Sequence, residues 1–104
     1  MFLDSHILRT PLIPYRQQFG ETRIFLKPES LQVFGSYKIR GVNSAIKSAP
    51  IEKIQKGLVT ISAGNMAQAV AFVALQLKVP CRAYVPDSAP LVKRKDIADL
   101  DAKI

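Results

Sequence analysis

Two blocks of apolar and β-branched residues, Leu58-Val59-Thr60-Ile61-Ser62 and Cys81-Arg82-Ala83-Tyr84-Val85, bracket a stretch that is apolar almost throughout. Short runs of this kind, bounded by Gly57, Gly64, Pro80 and Pro86, predict strands. The stretch between them predicts a helix from about Met66 to Lys78, stopped by Pro80. It is apolar on nearly every face, so it is expected between layers and not at a surface. Upstream, Ile39, Val42, Ala45, Ile46 and Ala49 recur at helical spacing and predict a helix from about Tyr37 to Ala49, ended by Pro50. Residues 51–56 form a short helical turn closed by Gly57 as C-terminal cap. Arg23–Lys27 reads as a short strand. A last helix starts near Ala89 or Pro90, with Ser88 as candidate cap and Pro90 in the first turn, and ends near Leu100. Lys103-Ile104 opens a further strand. Pro11 and Pro14 make Thr10–Tyr15 an extended segment.

Strands alternating with helices across short joints predict an α/β fold: a parallel sheet with flanking helices, built from βαβ units. With 104 residues the chain is one domain at most. A sheet that stops as a strand begins leaves an edge and apolar helix faces uncovered. The expectation is therefore an incomplete fold that a complementing chain or a homo-oligomer would finish.

Composition narrows the function classes. Hydrophobic residues make up 48% of the chain, which suits a packed core and argues against disorder. The longest apolar run, Ala69–Leu75, is too short to cross a bilayer. Met1-Phe2-Leu3 is followed at once by Asp4, Ser5 and His6 and does not read as a signal peptide. The single cysteine, Cys81, allows no internal disulfide and fits a reducing compartment. A soluble, cytoplasmic chain without a membrane partner is expected. The net charge of +7 raises nucleic acid as a ligand, but the basic residues are dispersed. The one dense patch, Lys93-Arg94-Lys95 beside Asp96, reads as an exposed helical turn, and no aromatics interleave with it. No nucleic-acid partner is expected, and His6 is given no role.

Two stretches carry chemistry. In Gly35-Ser36-Tyr37-Lys38-Ile39-Arg40-Gly41, Ser36 is placed to cap the helix and Lys38 falls in its first turn. Unpaired N–H groups and the positive end of the dipole disfavour an ammonium there. A shielded lysine at such a place can serve as an amine nucleophile toward a carbonyl compound. Among nine lysines, an ordinary surface lysine is the competing reading. In Ser62-Ala63-Gly64-Asn65-Met66-Ala67-Gln68, a glycine turn opens a helix at the carboxyl end of a parallel strand, the usual ligand crevice of open α/β sheets. Gly64 permits close approach, and the helix-start N–H groups favour a carboxylate. Asn65 offers a donor and an acceptor. The alternative is that Asn65 only caps the helix.

Taken together, Ser36-x-Lys38-x-Arg40-Gly41 and Ser62-Ala63-Gly64-Asn65-x-Ala67-Gln68 resemble the pyridoxal-phosphate enzymes of the tryptophan-synthase-β fold type (fold type II), most of all the threonine and serine dehydratase branch. Thr10-Pro11-Leu12, Leu26-Lys27-Pro28-Glu29-Ser30-Leu31-Gln32 and Val85-Pro86-Asp87-Ser88-Ala89-Pro90 with Lys93 extend the resemblance over nearly the whole chain. It implies pyridoxal 5'-phosphate held by Lys38 as a Schiff base, with Lys38 moving protons at the substrate's α-carbon. It also implies Asn65 on the cofactor's phenolic oxygen, and Ser62, Ala63, Gly64, Asn65 and Met66 on the substrate carboxylate. The implied activity is that of an ammonia-lyase: β-elimination of water from L-threonine or L-serine to a 2-oxo acid and ammonia. The implied layout is residues 1–57 as the extended lead-in, strand and lysine helix, and residues 58–104 as the start of a small Rossmann-like subdomain.

Other branches differ inside the motifs. Cysteine and threonine synthases resemble Lys-Asp-Arg where this chain has Lys38-Ile39-Arg40. Serine racemases carry a second serine where it has Ala63. Tyr37, Met66 and Ala69 stand where the family usually has phenylalanine, histidine and glycine. The family's glycine-rich phosphate loop and its residue at the pyridine nitrogen correspond to positions beyond 104. The alternative reading is therefore an inactive remnant that at most binds pyridoxal phosphate or docks on a related subunit.

Overall fold

The computed structural model describes residues 2–17 and 19–104; Met1, part of the opening weighed as a signal peptide, lies outside them. After a 3-10 turn at Phe2–His6, strand β1 (Ile13–Pro14) pairs antiparallel with β2 (Phe25–Leu26), in the register Ile13 with Leu26 and Pro14 with Phe25. The strand expected over 23–27 is thus shorter and does not join the parallel sheet. Pro14 cannot donate to a ladder and Pro28 closes the far end, so only a two-residue edge pairing forms.

Two 3-10 turns, Glu29–Leu31 and Val33–Gly35, lead to helix α1 (Lys38–Ser48). The second turn is kinked by consecutive left-handed residues, Phe34 (φ 63°) and Gly35 (φ 64°). That conformation suits glycine but costs a bulky residue about 1–2 kcal/mol. The Phe34 ring packs edge-on against Phe72, with centroids 5.3 Å apart. Pro50 precedes the short α2 (Ile51–Ile54), and Gly57 follows it. Gly57 has φ 107°, and a Cβ there would lie 2.7 Å from the Pro80 carbonyl oxygen. That same carbonyl accepts the Leu58 N–H at 2.8 Å, so the close approach starts the sheet.

Strand β3 (Leu58–Ile61) pairs parallel with β4 (Cys81–Tyr84), and α3 (Asn65–Leu77) is the crossover between them. Past β4, Lys103 bridges to Arg82: its carbonyl accepts the Ala83 N–H at 2.8 Å and its N–H reaches the Cys81 carbonyl at 3.0 Å. The further strand expected at Lys103-Ile104 begins there. Helix α3 ends on Lys78 in the left-handed region (φ 56°), with the Val79 N–H bonded back to the Ala74 carbonyl at 3.0 Å. Chain reversal is thus complete before Pro80. Helix α4 (Leu91–Ala98) starts after Pro90, and no side chain caps it. Ser88 is not its cap. Instead the Arg94 guanidinium reaches back to the Pro86 and Asp87 carbonyls, at 3.0 and 2.6 Å.

The core has two parts, and α3 contributes to both. Ala67, Ala71 and Ala74 pack with Cys81, Ala83, Ile97 and Ala102 on the sheet side. Ala69 and Val73 pack with Ile39 and Val42 of α1. Alanines let backbones approach closely on two sides, as the apolar pattern of this helix requires. On the sheet, Thr60, Cys81 and Ala83 are buried, whereas Val59 is 67% and Ile61 84% exposed. Parallel sheets are normally covered on both faces, so this bare face agrees with the expectation of an incomplete fold. Among the described residues no helix is long and apolar enough to cross a membrane, and no group of side chains could hold a metal ion.

Gly57→Ala puts a methyl group against the Pro80 carbonyl and imposes a strained φ. It is expected to lower stability by about 1–3 kcal/mol, read as a lower urea midpoint at unchanged slope.

Candidate active site

Helix α1 begins where Ser36 leaves extended backbone (φ −151°, ψ 149°) and Tyr37 adopts helical angles (φ −65°, ψ −12°). The buried Ser36 Oγ accepts the Lys38 N–H at 3.3 Å, but the cap position of α1 falls on Tyr37, which makes no side-chain cap bond, so Ser36 stands one residue before the cap it was expected to fill. Lys38 is half-buried, and its Nζ lies 4.9 Å from the centroid of the Tyr37 ring. Among the described residues Nζ has no hydrogen bond and no carboxylate partner.

The second stretch is placed by the sheet. Ser62 extends the parallel ladder, its N–H donating to the Tyr84 carbonyl at 3.0 Å, and its Oγ accepts the Gly64 N–H at 3.2 Å. Ser62, Ala63 and Gly64 are half-buried in the turn, whereas Asn65 and Met66 are exposed in the first turn of α3. Gly64, not Asn65, occupies the cap position, and no side chain caps the helix. Asn65 is already helical, so the capping alternative does not hold. Its amide makes no hydrogen bond among the described residues. The first N–H groups of α3 therefore have no intrahelical acceptor, which is the arrangement of an anion-binding helix start.

The two helix starts belong to one packed unit. Ile39 and Val42 of α1 meet Ala69 and Val73 of α3. A groove beside this contact is walled by Gly41 and Val42 of α1, Thr60 and Ile61 of β3, and Met66 and Val70 of α3. Lys38 lies one helical turn before Val42 on the same face of α1. Lys38, Asn65 and Ser62–Gly64 themselves do not line that groove.

A polar network behind α1 was not assembled from the sequence. Arg40 forms a forked pair with Glu29, Nε to Oε2 at 2.7 Å and Nη2 to Oε1 at 2.9 Å, and Nη2 also donates to the Leu8 carbonyl at 2.9 Å. The Thr10 hydroxyl donates to Glu29 Oε1 at 2.7 Å. The buried Gln32 pairs with both backbone groups of Leu8, accepting its N–H at 3.0 Å and donating to its carbonyl at 2.7 Å. Thr10, Glu29, Gln32 and Arg40 all stand within the motifs quoted above. The available signal was four polar side chains among apolar neighbours, with nothing in the spacing to say that they meet. The Arg40 fork, helped by the Thr10 hydroxyl, holds the Glu29 carboxyl down to about 2.

A carboxyl held low stabilises the fold above its ordinary range and loses that contribution as pH falls through its folded value. The Glu29 contribution is thus complete above about pH 5 and disappears between about pH 4.5 and 2. Glu29→Gln is expected to flatten the fall of Tm over that interval and to lower Tm at neutral pH. A residual slope from Asp4, held low by Lys47 and Asn43, remains.

The family described as pyridoxal-phosphate dependent enzyme matches residues 3–104. An L-threonine ammonia-lyase of Geobacter sulfurreducens is 40% identical over 105 residues, covering 98% of this chain and 26% of that enzyme. The serine racemase of Dictyostelium discoideum superposes with a TM-score of 0.85 at 34% identity, over 97% of this chain and 34% of the racemase. The processed form of threonine deaminase isoform 2 from Solanum lycopersicum does so with a TM-score of 0.78 at 25% identity, over 96% of this chain and 30% of the deaminase. The chain thus spans between about a quarter and a third of the length of these relatives.

Proposed function

This chain belongs to the pyridoxal-phosphate dependent enzyme family, and from that premise we propose that it carries the amine end of a dehydratase site acting on L-threonine or L-serine. The observation that carries this reading is the pair of helix starts: among the described residues, a half-buried lysine without a charged partner on α1, and a helix start on α3 whose N–H groups have no side-chain cap and whose asparagine amide has no hydrogen bond. These residues fit the cofactor at one end. Lys38 supplies the amine, and Asn65 a neutral donor for a ring oxygen. The five glycines stand at 20, 35, 41, 57 and 64, so none forms a cluster that would cradle phosphate.

When bound, pyridoxal phosphate supplies an electron sink for charge developing at the substrate's α-carbon. Lys38 Nζ takes the proton from that carbon. The N–H groups at the start of α3 hold the carboxylate, and Gly64 leaves room for its approach. Loss of the β-hydroxyl as water leaves an enamine, which hydrolyses to a 2-oxo acid and ammonia. Ala63 offers no hydroxyl for proton transfer on the opposite face, which favours elimination over the racemisation named for some structural neighbours. The soluble, cytoplasmic setting expected from composition suits this amino-acid chemistry.

A second reading rests on the dispersed glycines: the chain binds the cofactor, or docks on a related subunit, without turnover. Borohydride reduction after mixing with pyridoxal phosphate, followed by peptide mass spectrometry, tests the cofactor role. The expected result is a pyridoxyl label on Lys38 that is lost in Lys38→Ala; labelling spread evenly over the lysines would remove Lys38 from it. Asn65→Ala is expected to weaken cofactor binding about ten-fold, the worth of one hydrogen bond near 1.4 kcal/mol. Release of 2-oxo acid from threonine, dependent on Lys38, supports the dehydratase reading. A Lys38 label without oxo acid supports the second.

A further inference from the structure

We propose that Glu29 and Arg40 are positioning residues for Lys38, a role that rests on the reading of Lys38 as the reactive amine. Glu29 and Arg40 lie eleven residues apart, and their forked pair ties together the two ends of the segment that leads into α1 at Lys38. A fork with two parallel N–H···O bonds fixes direction as well as distance, which a point charge does not. Packing of Ile39 and Val42 against α3 seats α1, but the Lys38 amine itself has no hydrogen bond among the described residues. The bond from the Lys38 N–H to Ser36 Oγ is long at 3.3 Å, and the lead-in passes through the two left-handed residues Phe34 and Gly35. A lead-in strained in this way persists only where its surroundings over-determine it. The surroundings here are the Phe34–Phe72 contact, the Gln32–Leu8 pairing and the Arg40 fork. Arg40 follows Lys38 by two residues within the first turn, so an anchored Arg40 orients that turn. Its third bond, to the Leu8 carbonyl, and the Thr10 hydroxyl on Glu29 join the N-terminal segment to the same anchor.

Helix α1 carries its own control. At its other end Lys47 donates to both carboxylate oxygens of Asp4. That pair also ties α1 to the N-terminal segment, but it is more than two turns from Lys38. A merely structural ion pair at either end would change stability alone.

The test compares Glu29→Gln, Arg40→Gln, Arg40→Lys and Asp4→Asn in the full chain, each verified as folded by circular dichroism. Thr10→Val, which removes one bond to Glu29 and keeps the fork, is the mild variant should the others fail to fold. Two readouts are taken at Lys38, each relative to the exposed Lys93: pyridoxyl labelling, and acetylation by N-hydroxysuccinimide acetate, which needs no cofactor. In Glu29→Gln and Arg40→Gln both ratios are expected to move toward one by about three-fold or more. Arg40→Lys and Thr10→Val fall between these and the parent chain. Asp4→Asn lowers Tm and leaves both ratios unchanged. Unchanged ratios in the Glu29 and Arg40 variants, or an equal shift in Asp4→Asn, would overturn the proposal. If the parent chain takes no pyridoxyl label at Lys38, the function reading fails, and the acetylation ratios still decide whether the fork positions the lysine.

Discussion

Burial of α3 on two sides is the constraint on which the rest of this structure depends. Its alanines at 67, 71 and 74 face the sheet and α4, while Ala69 and Val73 face α1. The helix is therefore the joint between the layer that carries Lys38 and the sheet whose end carries Ser62–Gly64. The small side chains set the approach of the backbones, and the packing of Ile39 and Val42 against them determines where α1 sits. Without the packing of α1 against α3, the two helix starts would be unrelated ends.

Much of this was legible in the hydrophobic pattern. The α3 segment was apolar on nearly every face, and burial between layers follows from that alone. Strands β3 and β4 were also legible, the first as a β-branched run that opens after Gly57 and the second as a short run between Pro80 and Pro86. The β1–β2 pairing was not legible. Its partners are separated by a loop, and Pro14 obscures a strand from any period-based reading. The cap of α4 was misplaced at Ser88, because the extended residue directly before the helix is Pro90 (ψ 138°), two residues further on.

The site shows the same division. The positions of Lys38 and Asn65 at helix starts were readable from Gly-Ser and Ala-Gly turns followed by apolar periodicity. The competition between capping and ligand binding at Asn65 was not, because it turns on whether Gly64 or Asn65 has the non-helical backbone. The structure assigns that place to Gly64, which leaves Asn65 exposed and its amide without a hydrogen bond among the described residues. The Glu29–Arg40 fork was hidden for a further reason. Its members belong to different elements, and the segment between them runs through two 3-10 turns and two left-handed residues, Phe34 and Gly35. Backbone strain, ion pair and lysine thus form one local device within a fold whose outer sheet face is bare.

The central claim is that the starts of α1 and α3 act as one site. Hydrogen–deuterium exchange of the full chain, followed by mass spectrometry with and without pyridoxal phosphate, tests it most directly. The account predicts slowed exchange in peptides covering both 36–42 and 62–68, with both effects absent in Lys38→Ala. Protection confined to one stretch, or persisting at 62–68 in Lys38→Ala, would contradict it.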